Sequence, residues 1–192
     1  MSLKKNPWNP IAHNYLDEII SPLKHSKNLA LFEDLKKISH KKEKTVADLG
    51  HGVGHLLPHL ARRFKKVDAI DLSSQMILEA KNYIQNHYPQ HQSKMTFHQK
   101  CLSSLADLGK RWDVAIAINS LICPDLGELK KSFTGIFQSL KKGGHFFLIV
   151  PSLDSVREEY IYNFQKKKKQ YLNDKMAVKK VEKEMRAELV DF

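Results

Sequence analysis

The sequence has little of what marks secreted or membrane-spanning proteins. It contains only two cysteines, Cys101 and Cys123, far from the number or spacing of a disulfide framework or a zinc site. Its longest apolar runs, such as 146–150, have the length of a single strand, and the polar, basic segment 1–8 leads into no signal-peptide core. These absences give no support for secretion or a membrane span, and we expect a reducing cytoplasm.

Positive charge is what the sequence has in excess. Its 32 lysines and arginines against 21 aspartates and glutamates give a formal net charge of +11. Such a surface attracts anionic partners, including nucleic acid, acidic proteins and nucleotides. Because the basic residues occur along the whole chain, with one dense run at 166–169, the pattern predicts mostly solvated faces, and a dedicated nucleic-acid surface is the weaker alternative.

Strand and helix patterns alternate along the middle of the chain. Strands are predicted at 46–49, 67–72, 95–100, 112–118 and 145–151, the last after a turn at 141–144, and helices at 53–64, 74–87, 103–108 and 126–140. Strands separated by helices require crossover connections, which are right-handed almost without exception. The sequence therefore predicts an α/β fold with an open parallel sheet of five strands and helices on both faces.

Further helical patterns flank this core. Two precede it, at 10–23 and 27–38, and residues 155–189 form one long, highly charged helical pattern. We expect a single domain made of three segments, 1–45, 46–151 and 152–192.

The main chemical signal follows the first predicted strand. Asp48 ends that strand, and Gly50, Gly52 and Gly54 follow at alternate positions. Glycine permits positive φ and close approach of a ligand, and a helix N-terminus after the glycines would present free N–H groups. Asp71, at the end of the next strand, is placed to accept hydrogen bonds from ribose hydroxyls. We expect the two acids and three glycines to form one site.

This constellation resembles the S-adenosylmethionine-binding motif of class I methyltransferases, in which an acid precedes G-x-G-x-G and a second acid ends the next strand. The resemblance covers about residues 8–151 and implies a Rossmann-like fold, S-adenosylmethionine as cofactor and S-adenosylhomocysteine as product. A dinucleotide-binding turn needs G-x-G-x-x-G, whose third glycine would stand where His55 does. Asp48 also suits a cationic cofactor better than a pyrophosphate.

The resemblance places the methionine part of the cofactor at the glycine loop. Asp48 and the three glycines would form its pocket, with His51 at a position that the family often fills with cysteine. The segment 1–45 would cover the site, and Tyr15 on one of its helices would touch the carboxylate end of the cofactor. Packing on an amphipathic helix is an equal alternative for Tyr15.

The resemblance places the adenosine part beside the second and third strands. Asp71 would bind the ribose, and Leu72 and Met76 would form an apolar floor beneath the adenine. Met76 fits an ordinary core position equally well. Cys101 and Leu102 stand where the family often has Asp-Ala, so that Cys101 departs from the pattern and leaves a side-chain contact to the adenine amine in doubt.

The turn after the fourth strand would face the transferable methyl group, and Asn119 is the polar candidate there. The segment 119–122 lacks the Pro-Pro-Tyr sequence of enzymes that methylate base amines, and Ile122-Cys123 replaces the Glu-His of many small-molecule relatives. The sequence thus identifies no general base and no catalytic residue. Methyl transfer from a sulfonium depends mainly on positioning and desolvation of the nucleophile, so a base is not required.

These observations favour methyl transfer from S-adenosylmethionine to an unidentified acceptor, preferably a small molecule. The missing base leaves open a catalytically silent module that binds the cofactor or a protein, and the charge leaves open an RNA methyltransferase. The family's last two strands, an antiparallel hairpin, are not found before Phe192. The resemblance therefore predicts a truncated chain whose exposed sheet edge allows self-association.

A metal site is the least favoured alternative. His51, His55 and His59 recur every four residues, but Pro58 interrupts the pattern and no H-E-x-x-H motif accompanies it. We expect polar surface histidines and no metal.

Overall fold

A computed structural model describes residues 30–123, 125–168 and 174–190. Tyr15 and the helix predicted at 10–23 therefore lie outside the described residues. The strands are β1 Thr45–Leu49, β2 Lys66–Asp71, β3 Met95–Gln99, β4 Trp112–Ile118 and β5 Leu140–Ile149. The helices are α1 Ala30–Lys37, α2 Leu57–Arg63, α3 Ser74–His87, α4 Leu126–Ser139, α5 Leu153–Lys168 and α6 Asp174–Val190, with short 3-10 helices at Lys41–Glu43, Pro89–Lys94 and Leu102–Leu108.

The five strands form one sheet in the order β3-β2-β1-β4-β5, and every neighbouring pair is parallel. The predicted α/β fold with a five-stranded parallel sheet is confirmed. From β1 the chain builds outward through β2 and β3, and then returns to the other side of β1 for β4 and β5. The direction of winding thus reverses between β1 and β4, and open α/β sheets bind ligands at the carboxyl ends of the strands at such a point.

Helices cover both faces of the sheet, as predicted. Leu35 of α1, Leu60 of α2 and Ile84 of α3 pack against Val46 on one face. Ile136 of α4 and the 3-10 helix at Leu102–Leu108 pack on the other face. Because both faces are covered, the central strands β1 and β4 are apolar on both sides rather than alternating with polar residues.

Two helix starts are fixed by side-chain caps. The Ser73 hydroxyl accepts a hydrogen bond of 3.1 Å from the Met76 N–H at the start of α3. The Asp125 carboxylate accepts bonds of 2.8 and 3.1 Å from the N–H groups of Gly127 and Glu128 at the start of α4. These caps satisfy N–H groups that a helix start leaves free, and both starts lie where the sequence predicted them.

Two predicted boundaries are wrong. The helix expected from Val53 begins only at Leu57, because the glycine-rich segment before it forms turns. The turn expected at 141–144 lies inside β5, where Trp112 pairs with Leu140 but Val114 pairs with His145. The extra residues of β5 form a bulge, an irregularity that a strand accommodates without ending.

The charged C-terminal pattern is helical, but it is not one continuous helix. It contains α5 and α6, which contact each other. No helix within the described ranges is long and apolar enough to cross a membrane.

Candidate functional site

A cavity of about 180 Å³ opens at the carboxyl ends of β1, β2 and β4, where the winding of the sheet reverses. Its walls come from the loops after these strands, from the segment after β3 and from the starts of α3 and α4. The lining residues are Gly50, Gly52, Asp71, Leu72, Met76, Lys100, Cys101, Leu102, Ile118, Asn119, Ser120, Leu121, Ile122, Cys123, Glu128, Leu129 and Ser132.

Two of the three glycines in the loop after β1 are required by protein contacts. All three have positive φ, at 73° for Gly50, 52° for Gly52 and 85° for Gly54. A Cβ on Gly50 would lie 2.3 Å from the Cβ of Ser120, and one on Gly54 would lie 2.9 Å from the Cβ of Ala80. Gly50 thus makes room for the turn after β4, and Gly54 for close packing of α3.

The N–H groups of this loop bind other protein atoms. Those of Gly50 and His51 donate to the Ile70 carbonyl at 2.7 and 3.2 Å, and that of Gly54 donates to the His51 carbonyl at 2.9 Å. The Gly52 N–H donates to Oδ2 of Asp71 at 2.9 Å. These bonds fasten the loop to β2 and to itself, and the helix that was expected to present free N–H groups directly after the glycines begins only at Leu57.

Asp71 joins the end of β2 to the glycine loop and to the wall of the cavity. Besides the bond from Gly52, its Oδ1 accepts a hydrogen bond of 2.8 Å from the Ser73 N–H. Burial raises the pKa of Asp71 to about 6, while hydrogen bonds from the backbone N–H groups of Ser73, Gly52 and Leu72 act in the opposite direction. The carboxylate is thus held in one orientation at the edge of the cavity.

Asp48 is buried beside the loop, with 3% of its surface exposed, and does not line the cavity formed by the described residues. Its Oδ2 has no hydrogen-bond partner in the part of the chain that the structure describes. Burial, and secondarily the charge of Asp71, raise the pKa of Asp48 to about 7. A buried, unpartnered carboxylate is costly to ionise, so Asp48 is partly protonated near neutral pH.

His51 is also buried, with 7% of its surface exposed, and lies outside the cavity lining. Its Nδ1 is 2.7 Å from the Gly52 carbonyl, and its ring meets the edge of Phe97 with centroids 5.5 Å apart. Burial lowers the pKa of His51 to about 4, so its ring is neutral at physiological pH. The His51 side chain therefore supports the glycine loop without lining the cavity.

The three histidines spaced four residues apart have separate surroundings. The rings of His55 and Tyr83 have centroids 4.9 Å apart, and those of His59 and Phe32 are 5.2 Å apart, whereas His51 is buried in the loop. Within the described ranges, no three histidine, cysteine or acidic side chains are grouped in a way that could hold a metal ion.

One wall of the cavity is apolar and lies where the resemblance placed the adenine. Met76 is 1% exposed and Leu72 is 43% exposed, and both line the cavity together with Leu102. Met76 therefore belongs to the core and to the cavity wall at once. Cys101 lines the same wall as a free thiol, with its Sγ 3.1 Å from the Ser103 hydroxyl.

The turn after β4 closes the cavity against the glycine loop. Asn119 has φ of 53°, a left-handed conformation that asparagine adopts more readily than most residues, and its N–H donates to the Ile149 carbonyl at 2.8 Å. The next residue, Ser120, donates its hydroxyl proton to the Leu49 carbonyl and contacts Gly50. Sequence reasoning missed Ser120, although a small residue is required opposite a glycine loop at this point.

The start of α4 contributes lining residues that no motif predicted. Glu128 and Ser132 reach the cavity because α4 packs on the 3-10 helix at Leu102–Leu108. Oε1 of Glu128 lies 2.6 Å from Nζ of Lys131, and hydrogen bonds from Lys131 and Ser103 hold the pKa of Glu128 below its usual range. Nothing local in the sequence of α4 marks these residues as part of the cavity.

The donor and acceptor chemistry of the cavity fits the adenosine part of a nucleoside cofactor. A fixed carboxylate, Asp71, suits ribose hydroxyls, and the neighbouring apolar wall suits a planar base. Asp48, whose Oδ2 has no hydrogen-bond partner among the described residues, directly precedes the loop that the resemblance assigns to the cationic amino-acid end.

Comparison with known proteins supports the same interpretation. A family model described as a methyltransferase domain matches residues 46–144, slightly more than half of the chain. No curated protein matches the chain.

Solved structures share the fold. A complex of DhpI with SAM and HEP is 21% identical, with a TM-score of 0.60, covering 79% of this chain and 66% of that one. An S-adenosylmethionine-dependent methyltransferase from Clostridium acetobutylicum is 27% identical, with a TM-score of 0.57 and coverage of 74% and 57%. The sugar N-methyltransferase KedS8 from Streptoalloteichus is 17% identical, with a TM-score of 0.57 and coverage of 76% and 55%.

The chain thus spans between 55% and 66% of the length of these three proteins. The family match begins at β1 and includes Asp48, as well as the glycine loop, Asp71 and the turn after β4, which line the cavity. On this match the chain belongs to the methyltransferase-domain family, and its predicted place among the class I methyltransferases, whose cofactor is S-adenosylmethionine, is confirmed.

Proposed function

We propose that the chain binds S-adenosylmethionine in this cavity and transfers the methyl group to a small-molecule acceptor, releasing S-adenosylhomocysteine. The observation that carries the proposal is that Gly50, Gly52 and Asp71, from two neighbouring strands, line one cavity at the point where the winding reverses. A small acceptor is favoured because the turn at 119–122 lacks the motif of enzymes that methylate base amines.

In this proposal different lining residues bind different parts of the cofactor. Asp71 binds the ribose, the apolar wall with Leu72 and Met76 receives the adenine together with Cys101 and Leu102, and Gly50 and Gly52 face the methionine part. Asp48, His51 and Gly54 act from behind the lining, because each is buried against the loop rather than exposed in the cavity.

The bound cofactor supplies a methyl group on a sulfonium, which reacts by in-line displacement. The chain's own residues hold the adenosine part, exclude water from the apolar wall and orient the acceptor. Asn119 is the proposed orienting residue, because it lines the cavity and its backbone is fixed by the bond to Ile149. No residue is assigned as general base.

Calorimetric titration with S-adenosylhomocysteine tests the binding site. Asp71→Asn removes the charge and should weaken binding by about 1 to 3 kcal/mol, the value of hydrogen bonds to a charged group. Asp34→Asn, an exposed acid on α1 that pairs with Lys37, is the matched control and should leave affinity unchanged. Unchanged affinity in a folded Asp71→Asn variant contradicts the ribose assignment.

A cofactor analogue lacking the ribose 2′-hydroxyl separates ribose binding from support of the loop. If Asp71 binds the ribose, the analogue should bind the wild-type chain more weakly, and the loss should shrink in Asp71→Asn. Equal losses in both proteins would mean that Asp71 acts only by holding Gly52 and Ser73.

Turnover with methyl-labelled cofactor and fractionated cell extract tests the reaction. Label in the small-molecule fraction supports the proposal. Label in RNA supports an RNA methyltransferase instead, and binding without any transfer supports a silent cofactor-binding module.

Two minor elements complete the proposal. A cytoplasmic location fits the free thiols of Cys101 and Cys123.

Self-association through β5 fits its position as an outer strand of the described sheet, since an unpaired strand edge offers free hydrogen-bonding groups.

A further inference from the structure

The end of the sheet at which the parallel strands begin lies opposite the cavity and is here called the amino edge. It carries a row of positive charges. Lys44 precedes β1, Lys66 begins β2 and Lys94 precedes β3. Because these strands pair in parallel register, the three lysines follow one another along that edge. The cations therefore gather at one end of the sheet although they are far apart in sequence.

Further cations converge beside this row, at the C-terminus of α2. Nζ of Lys42 donates to the Arg62 carbonyl at 2.5 Å, and Nζ of Lys94 donates to the Ala61 carbonyl at 2.9 Å. Burial is the main reason that the pKa of His91 lies below its usual value, and the charges of Lys94, Arg62 and Lys42 lower it further. The three cations are therefore close enough to His91 to act on its charge.

No acidic side chain of the described residues forms an ion pair with this cluster. None of the ion pairs found among the described residues includes Lys42, Arg62 or Lys94. The segments 49–67 and 80–106, which supply α2 and most of α3 with its following turn, contain no aspartate or glutamate. Two acids do lie at this end of the sheet, but they pair with other cations: Glu43 is 3.9 Å from His40, and Asp113, which accepts a bond from the Thr45 N–H, is 2.8 Å from Nζ of Lys141.

Aromatic rings lie among these cations. The guanidinium of Arg62 lies 5.9 Å from the ring centroid of Tyr88, and the rings of Tyr88 and His91 are nearly parallel, at 11°, with centroids 6.5 Å apart. The Tyr83 ring meets Tyr88 edge-on at 5.6 Å. Tyr88 and His91 are each partly exposed. We call Lys42, Arg62, Tyr88, His91 and Lys94 the basic-aromatic patch.

We propose that the basic-aromatic patch binds single-stranded nucleic acid. Cations that lack acidic partners attract backbone phosphates, and the planar side chains beside them offer surfaces on which unpaired bases stack. A duplex would engage only the cations, because its bases are already stacked and paired. Since the patch lies at the amino edge and the cavity at the carboxyl ends of the strands, a bound strand does not compete with the cofactor.

The charges are tested by anisotropy of a labelled oligouridine of about 15 nucleotides, the upper range of one single-strand binding site. The Arg62→Gln/Lys94→Gln variant should bind severalfold more weakly, and the slope of log affinity against log salt should fall by about 1.4, or 0.7 for each lost phosphate contact. Lys130→Gln is the matched control, an exposed lysine of α4 on the other face of the sheet. Equal affinity and slope in the double variant and the control overturn the proposal.

The ring is tested separately from the charge. Tyr88→Leu should weaken oligouridine binding by at least about fivefold, the smallest effect expected for loss of one stacked base, and Tyr88→Phe should retain wild-type affinity. The affinity for heparin, measured by competition, should be the same in Tyr88→Leu and Tyr88→Phe, because heparin carries charge but no bases. Wild-type affinity in Tyr88→Leu, or equally tight binding of duplex RNA or of anionic vesicles, overturns the proposal.

The same variants separate this proposal from the methyltransferase site. S-Adenosylhomocysteine titrated by calorimetry should bind the Arg62→Gln/Lys94→Gln and Tyr88→Leu variants as it binds the wild-type chain. Loss of cofactor binding in these variants would show that the substitutions disturb the fold, and the wild-type chain's preference for oligouridine over duplex RNA and anionic vesicles would then decide the proposal.

Discussion

The acids of the glycine site and the cations of the basic-aromatic patch lie at opposite ends of the sheet and differ in their exposure to solvent. At the carboxyl ends of the strands, Asp48 and Asp71 are buried to 3% and 8% exposure beside the glycine loop, and burial raises the pKa of both. At the amino edge, Lys42 and Arg62 are exposed to solvent. Solvated charges cost the fold little, whereas buried ones cost several kcal/mol unless they are paired. Stability and function are therefore coupled at the carboxyl end and nearly independent at the amino edge.

The largest effect is expected from Gly50→Ala. Gly50 and Gly109 have similar φ, at 73° and 67°, but a Cβ on Gly50 meets Ser120 at 2.3 Å, whereas one on Gly109 meets nothing within 4 Å. Gly109→Ala should cost only the backbone strain, about 1 to 3 kcal/mol, because φ of 67° with ψ of 179° is a conformation nearly confined to glycine. Gly50→Ala should cost about 3 kcal/mol or more, because strain and overpacking add. Urea denaturation of both variants measures the difference.

The close approach of the two loops is tested further by a second substitution. Ser120→Gly should recover part of the stability lost in Gly50→Ala, because it removes the Cβ that the new methyl group meets. Equal losses in Gly50→Ala and Gly109→Ala, with no recovery from Ser120→Gly, would mean that the loops do not pack as described.

Asp48→Asn should stabilise the chain without cofactor, in a pH-dependent way. The pKa of Asp48 is about 7 in the folded chain against an ordinary 3.8, so the folded state holds more protons than the unfolded state between these values. The contribution of Asp48 to the free energy of unfolding therefore falls as pH rises through this window and is constant above it. The variant should gain nothing near pH 4 and at most about 4 kcal/mol above pH 7.

Urea denaturation at several pH values measures this gain. Asp34→Asn, at an exposed site, should show no comparable dependence on pH. A gain from Asp48→Asn that is the same at pH 4 and pH 8 would mean that folding does not raise the pKa of Asp48, and a loss above pH 7 would mean that Asp48 has a partner that stabilises its ionised form.

The fold was predictable where the signals are local. The starts of α3 and α4 follow from Ser73 and Asp125, which cap the helices through contacts with residues two or three positions ahead. The start of α2 was not predictable, because the helical spacing of the apolar residues continues backward into a segment whose glycines adopt positive φ. The bulge in β5 was missed for a similar reason, since Gly143 and Gly144 are typical of a turn as well as of an irregular strand.

The candidate site was likewise predictable only in part. The residues that motif spacing placed on the cavity wall are Gly50, Gly52, Asp71, Leu72, Met76, Cys101, Leu102 and Asn119. Glu128 and Ser132 could not be predicted, because only the packing of α4 on the segment after β3 brings them there. The burial of Asp48 was equally hidden, since it depends on elements that are remote in sequence. Spacing predicts what neighbouring strand ends bring together, and packing of distant helices decides the rest.

The smallest effect on stability is expected at the amino edge. Lys94→Gln loses the bond from Nζ to the Ala61 carbonyl and a cation near the C-terminus of α2, an interaction worth about 0.3 to 1 kcal/mol when exposed and up to about 2 kcal/mol when partly buried. It also relieves repulsion from the neighbouring cations Arg62 and Lys42, which offsets part of that loss. Since Lys94 is half-buried, the free energy of unfolding should fall by about 1 kcal/mol or less, measured in urea at neutral pH. A loss as large as that of Gly109→Ala would make Lys94 a structural residue, and the contrast between the two ends of the sheet would then fail, because charge at the amino edge would also be needed to hold the fold.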